Sequence, residues 1–133
     1  MATDGREPDR RVYQLHAEVC KVLAHPARLE ILDLLRDGPL RPSEMAERLG
    51  ISRSNVSQHL AAMHHKGLLR RMRVQRAVVY SVTDPRLFDA CRTLRELIHE
   101  QLRAGGELAE VAFRDTPQAA PPEQGRATAM PGR

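Results

Sequence analysis

Five residues in one short run, Ser54, Asn55, Ser57, Gln58 and His59, carry the most suggestive side-chain chemistry in this chain of 133 residues. Hydroxyl, carboxamide and imidazole groups donate and accept hydrogen bonds without carrying a charge. They lie in ISRSNVSQHLAAMHHKGLL, residues 51–69, where Val56, Leu60 and Met63 recur at i, i+4 and i+7, the apolar spacing of a helix. The opposite face of a solvated helix would ordinarily carry Glu and Lys. Short side chains instead let a helix approach the base edges of a nucleic-acid groove, and a face without carboxylates does not repel phosphate.

The charge distribution extends that reading. No Asp or Glu occurs from Gly50 to Thr83, while Arg53, Lys66, Arg70, Arg71, Arg73 and Arg76 contribute six positive charges. With a net charge of +4, the rest of the chain must sum to −2. Such a block is an electrostatic footprint for a polyanion, whereas a merely solvated basic face would be interspersed with acids.

The surrounding elements follow from periodicity and capping. Residues 1–9 read as disordered. Val12, Leu15, Val19, Val22 and Leu23 define a first amphipathic helix from Arg10 to Ala24, and Pro26 opens a second helix that Gly38-Pro39 ends. Ser43 is expected to cap a short third helix, SEMAERL, closed by Gly50, and Ser52 to cap a fourth over roughly residues 53–66. The period then changes. LLRRMRV and AVVYSV are β-prone runs, and their connection lacks Gly or Asn, so a loop longer than two residues is expected around Val74-Gln75-Arg76. Asp84-Pro85 opens a last helix with the stripe Leu87, Cys91, Leu94, Ile98 and Leu102, ending at Gly105-Gly106 with an extra turn or two in ELAEVAF. The Pro/Ala-rich tail, residues 114–133, reads as disordered. The expectation is one mainly α domain over residues 10–113 with a small β-hairpin: a helix-turn-helix followed by a wing, with Arg70, Arg71, Arg73 and Arg76 on the wing facing DNA backbone.

Composition removes several other classes. There is no Trp, and two Phe and two Tyr are too few for an aromatic stacking platform. No run of about 18 apolar residues exists to span a membrane. The charged start, MATDGREPDRR, has no apolar segment behind it, so the protein reads as cytoplasmic, where Cys20 and Cys91 would be reduced. Catalysis is not expected: no Gly-rich phosphate loop, HExxH pattern or nucleophile–base pair is visible. A winged helix used only for protein contacts would not need the arginine block, and an RNA-binding role would call for stacking aromatics.

The run from LAHPARLEIL through SNVSQHL to the hairpin GLLRRMRVQRAVVYSV resembles the winged-helix core of the ArsR/SmtB family of bacterial repressors, over roughly residues 15–100. That resemblance implies a homodimer paired through the first and last helices, an inverted-repeat operator in double-stranded DNA, and release by an inducer. By position it makes Ser54, Asn55, Ser57, Gln58 and His59 the base-facing residues and Arg73 and Arg76 the wing contacts.

The sensor is the open question. The cysteine pair that thiophilic-metal sensors carry at the start of the third helix is replaced here by Arg41-Pro42, and Asp89-Ala-Cys91 and His99-Glu100 only echo the last-helix metal site. Three readings of Cys20 and Cys91 stand side by side. Both are small buried hydrophobes; or they are a thiol switch taking up oxidant or reactive sulfur; or a transition metal binds His16 and Cys20, one helical turn apart, completed by Cys91 or His99.

Overall fold

The computed structural model describes residues 9–115, which fall into two compact units divided after Cys91. In the first unit, α1 (Arg10–Leu23), α2 (Pro26–Leu34), α3 (Pro42–Leu49) and α4 (Arg53–His65) precede the antiparallel strands β1 (Leu69–Val74) and β2 (Ala77–Val82). Helix α5 (Arg86–Ala104) begins there and runs into the second unit, which also holds α6 (Glu107–Asp115).

Local chemistry sets the boundaries. Asp9, expected to be disordered, is instead the N-cap of α1, its carboxylate accepting the Arg11 N–H at 2.9 Å. Helix α2 passes into a 3-10 turn, Leu35–Asp37, before Gly38 turns the chain at φ 136°. The expected Ser43 cap of α3 is corrected: Pro42 occupies the first turn, Arg41 is the N-cap, and Ser43 lies inside the helix. A proline at the first position gives up no helical hydrogen bond, and Glu44 reaches back to accept the Arg41 N–H at 2.9 Å, so the start needs no hydroxyl. Gly50 then takes the left-handed conformation, φ 71°, that ends α3. Ser52 caps α4 as its position predicts, its Oγ accepting the Asn55 N–H at 3.0 Å.

The wing tip is the second correction. Val74 pairs with Ala77, so the connection is the two residues Gln75-Arg76, with Gln75 at φ 60°. Two-residue hairpin turns need positive φ at their first central position because only that twist matches the flanking strands; here glutamine accepts it in place of glycine. Leu40 adds a bridge that the sequence reading lacks: its N–H and C=O pair with the C=O and N–H of Tyr80 at 3.1 and 2.9 Å.

The core of the first unit is Ile31, Leu32, Leu35, Met45, Ala46, Val56, Leu60, Met63 and Leu69, with no buried polar or charged side chain among the described residues. All three residues that define the apolar face of α4 are in it, Val56 and Met63 at 0% and Leu60 at 1% exposure. Each large aliphatic side chain so buried contributes about 1.5–3 kcal/mol. Val22, Leu23, Leu87, Phe88 and Cys91 pack around its edge.

In the second unit Gly105, at φ 67°, stops α5, and the Gly106 N–H closes the end on the Gln101 carbonyl at 2.9 Å. The extra turns form a separate nine-residue helix, α6, reaching Asp115, so residues 114 and 115 expected in the tail are helical. The remainder of the expected tail, and residues 1–8, lie outside the described residues.

Candidate nucleic-acid interface

Helices α3 and α4 are joined by three residues, Gly50, Ile51 and Ser52. A turn of that length with a glycine is the helix-turn-helix connection, and α4 takes the position of the helix that enters a groove in DNA-binding members of that motif. Because Val56, Leu60 and Met63 hold one face of α4 in the core, Arg53, Ser54, Asn55, Ser57 and Gln58 are all held exposed on the other. Four of the five predicted donors and acceptors, Ser54, Asn55, Ser57 and Gln58, are therefore solvent-facing.

His59 behaves differently. It is half-buried, and its Nδ1 accepts a hydrogen bond from Arg28 Nε on α2 at 3.0 Å. Arg28 also donates to the Val22 carbonyl at 2.8 Å, and the His25 ring lies 6.0 Å from that of His59. Burial holds the His59 pKa below its ordinary value, and the charges of Arg28 and His25 push in the same direction. Sequence reasoning placed His59 with its neighbours and passed over Arg28. No local spacing signals it, because the contact joins residues 31 positions apart.

The wing carries its cations as expected. Arg70, Arg71, Arg73 and Arg76 are exposed, and none is ion-paired with a described residue. The hairpin is attached to the recognition helix by packing: the His64 ring meets the Tyr80 ring edge-on, with centroids 6.4 Å apart. At the same end of α4, Lys66 pairs with Glu18 of α1 at 2.9 Å, which lowers the Glu18 pKa. Thus the basic block loses Lys66 to an internal partner and keeps its arginines available.

Of the sensor candidates, His16 and Cys20 are exposed on α1, Cys91 is half-buried at the edge of the core, and His99 is exposed in the second unit. Neither cysteine is in a disulfide. Cys20 is thus not a buried hydrophobe within one chain. No group of three or more His, Cys, Asp or Glu among the described residues has a geometry that could hold a metal.

A three-residue helix–helix turn, a groove-sized helix with an acid-free polar face and a two-stranded wing define a winged helix-turn-helix DNA-binding domain. The family model described as "Bacterial regulatory protein, arsR family" matches residues 25–71. The chain is 33% identical over 106 residues to the uncharacterized HTH-type transcriptional regulator Rv0081 of Mycobacterium tuberculosis, covering 71% of this chain and 93% of that protein. The Rv0081 crystal structure superposes with a TM-score of 0.64 at 32% identity, over 74% of this chain and 97% of that one. The transcriptional repressor PagR of Bacillus anthracis superposes with a TM-score of 0.59 at 31% identity, over 65% and 99%. The solution structure of Mb0332 from Mycobacterium bovis, a homodimeric winged helix-turn-helix DNA-binding domain, gives a TM-score of 0.64 at 26% identity, over 74% and 93%. The chain belongs to the ArsR family of transcriptional regulators; it is a regulator and not an enzyme.

Proposed function

We propose that the protein is a homodimeric, sequence-specific repressor that binds an inverted-repeat operator and is released when Cys20 and Cys91 react with oxidant or reactive sulfur. The observation that carries the DNA part is the exposed polar face of α4 together with four exposed wing arginines that no described residue ion-pairs. The face supplies base-edge contacts from Ser54, Asn55, Ser57 and Gln58, and Arg53, Arg70, Arg71, Arg73 and Arg76 hold phosphate.

Dimerisation through α1 and the last helix is supported by apolar side chains left open in the single chain. Val12, Tyr13 and Leu15 on α1, and Leu94, Leu97, Ile98 and Leu102 on α5, are all more than one-third exposed. A two-fold pair places two recognition helices in successive major grooves, about 34–36 Å apart.

Release acts through the helices that carry the thiols. Cys20 sits exposed on α1 and Cys91 packs at the core edge on α5, so a link between thiols would pull on both dimerising elements. Forming one disulfide removes two electrons and two protons from two thiols, and a polysulfide accepts them by cleaving one of its S–S bonds. A metal-responsive repressor using His16, Cys20, Cys91 and His99 would need ligands from two chains, since one chain gathers no three of them.

The deciding experiment is fluorescence anisotropy on DNA from immediately upstream of the protein's own coding region, with the reduced, metal-stripped protein and the same sample after polysulfide. Tight binding that collapses on treatment, and survives it in Cys20→Ser and Cys91→Ser, supports the whole reading. Release by polysulfide in the double cysteine variant removes the thiols as sensor, and equal affinity for random DNA removes the operator.

A further inference from the structure

We infer that Arg28 is a positioning residue for the recognition helix: by donating to His59 Nδ1 it fixes the imidazole proton on Nε2, so that His59 meets DNA as a hydrogen-bond donor to an acceptor on a base edge. The inference rests on the reading of α4 as the DNA-facing helix and deepens it.

The chemistry admits one assignment. A guanidinium has only donors and stays protonated, so the 3.0 Å contact from Arg28 Nε makes His59 Nδ1 the acceptor. A neutral imidazole that accepts at one nitrogen carries its proton on the other. Two features keep the ring in that state. Arg28 is itself held by its second bond, to the Val22 carbonyl at 2.8 Å, so it cannot swing away without losing a partner. The titratable and charged groups that act on His59 are Arg28 and His25 of the α2 start, both of which oppose a second ring proton. The opposite ring edge has no partner among the described residues, and His59, half-buried at the flank of α4, lies one helical turn from the exposed Asn55.

The consequence is a directional reader. Asn55 and Gln58 donate or accept as the base requires, whereas a locked His59 only donates. Guanine N7 and O6 and thymine O4 are the major-groove atoms that take such a bond.

Two amide variants separate the inner from the outer nitrogen. In His59→Asn the carboxamide oxygen still reaches Arg28 but the distal donor is gone; in His59→Gln the distal N–H is kept. On the protein's upstream DNA, His59→Asn is expected to bind roughly three- to tenfold more weakly, with little change on random DNA, and His59→Gln to recover most of the loss. Equal losses for both amides, or a loss of the same size on random DNA, would overturn the assignment. The tautomer is read independently in the free full-length protein by nitrogen-15 NMR of the imidazole. Wild type should show a protonated Nε2 and an unprotonated Nδ1 at neutral pH, and Arg28→Met a mixture of tautomers. A mixture in wild type, or no change in the variant, would refute the lock. Because that spectrum needs no DNA, it still decides the lock if the protein binds no DNA, the outcome that would sink the functional reading instead.

Discussion

Leu40 and Tyr80 exchange both of their backbone hydrogen bonds, tying the segment between α2 and α3 to the second strand of the wing. The register explains why Tyr80 has both groups to give. Opposed residues of an antiparallel pair alternate between bonded and non-bonded positions, and Arg71–Tyr80 is a non-bonded one, so the Tyr80 N–H and C=O point outward to Leu40. The wing is therefore fastened to the helix-turn-helix through main chain as well as through the His64–Tyr80 ring contact. Replacing Leu40 with proline deletes one of the two bonds and strands the Tyr80 carbonyl. Stability by urea denaturation should fall by about 1–3 kcal/mol, and the Tyr80 amide should remain protected from hydrogen exchange because its own bond survives.

The wing tip should respond to glycine and valine in opposite directions. Gln75 holds a positive φ that costs an ordinary residue about 1–2 kcal/mol, partly offset for glycine by its greater unfolded-state freedom. Gln75→Gly is expected to raise the melting temperature and Gln75→Val to lower it. Identical melting temperatures for the two would mean the tip is not held in this conformation.

Helix α4 should divide cleanly by face. Leu60→Ala should cost about 2–5 kcal/mol of stability by opening a cavity in the core, whereas Gln58→Ala should leave denaturation unchanged. Binding should show the reverse pattern for base reading: Gln58→Ala relaxes sequence preference by about 1–3 kcal/mol if its contact is bidentate. An equal loss on random and upstream DNA would remove Gln58 from the base readers. Arg73→Ala or Arg76→Ala should instead weaken binding to every sequence and lower the slope of log affinity against log salt by about one unit each.

The start of the same helix depends on one hydroxyl. Ser52→Ala leaves the Asn55 N–H without its partner and should cost about 1 kcal/mol in chemical denaturation. Ser52→Asp, which keeps a capping oxygen, should restore that stability but add a negative charge beside the side chains proposed to face DNA, and so bind DNA less well than Ser52→Ala.

Acid should loosen the His59 site. Its folded-state pKa lies below the ordinary 6.5, so between the two values the unfolded chain binds more protons and stability falls as the pH is lowered. The contribution is complete above 6.5, declines below it and is gone once the pH passes the folded value. Denaturation midpoints from pH 7.5 down to 5 should drop more steeply for wild type than for His59→Asn; parallel curves would show that His59 is not held neutral by the fold.

Much of this architecture was legible because the α4 pattern admits a single solution. Val56, Leu60 and Met63 could only face a core, and Gly50 and Ser52 mark a helix end and a helix start within three residues. The misplaced details share a cause. Ser43 is a better cap by residue type than Arg41, yet Pro42 and Glu44 together satisfy the same backbone. Gln75 is a poor residue for positive φ by itself, and the pairing of Val74 with Ala77 overrides its preference. Arg28 was missed because its partner lies 31 residues away, across a contact that no local spacing encodes.

The acid-free stretch of 34 residues, from Gly50 to Thr83, also bears on how such a regulator finds its target. In the proposed DNA-bound state, phosphate contacts from the wing arginines would be indifferent to sequence, so the same surface that steadies the protein at one site would let it rest on, and travel along, the rest of the chromosome. Most copies in a cell would then be already bound somewhere on DNA, and the search for the operator becomes a one-dimensional walk punctuated by short hops. Losing the operator would mean stepping sideways onto neighbouring DNA rather than escaping into solution.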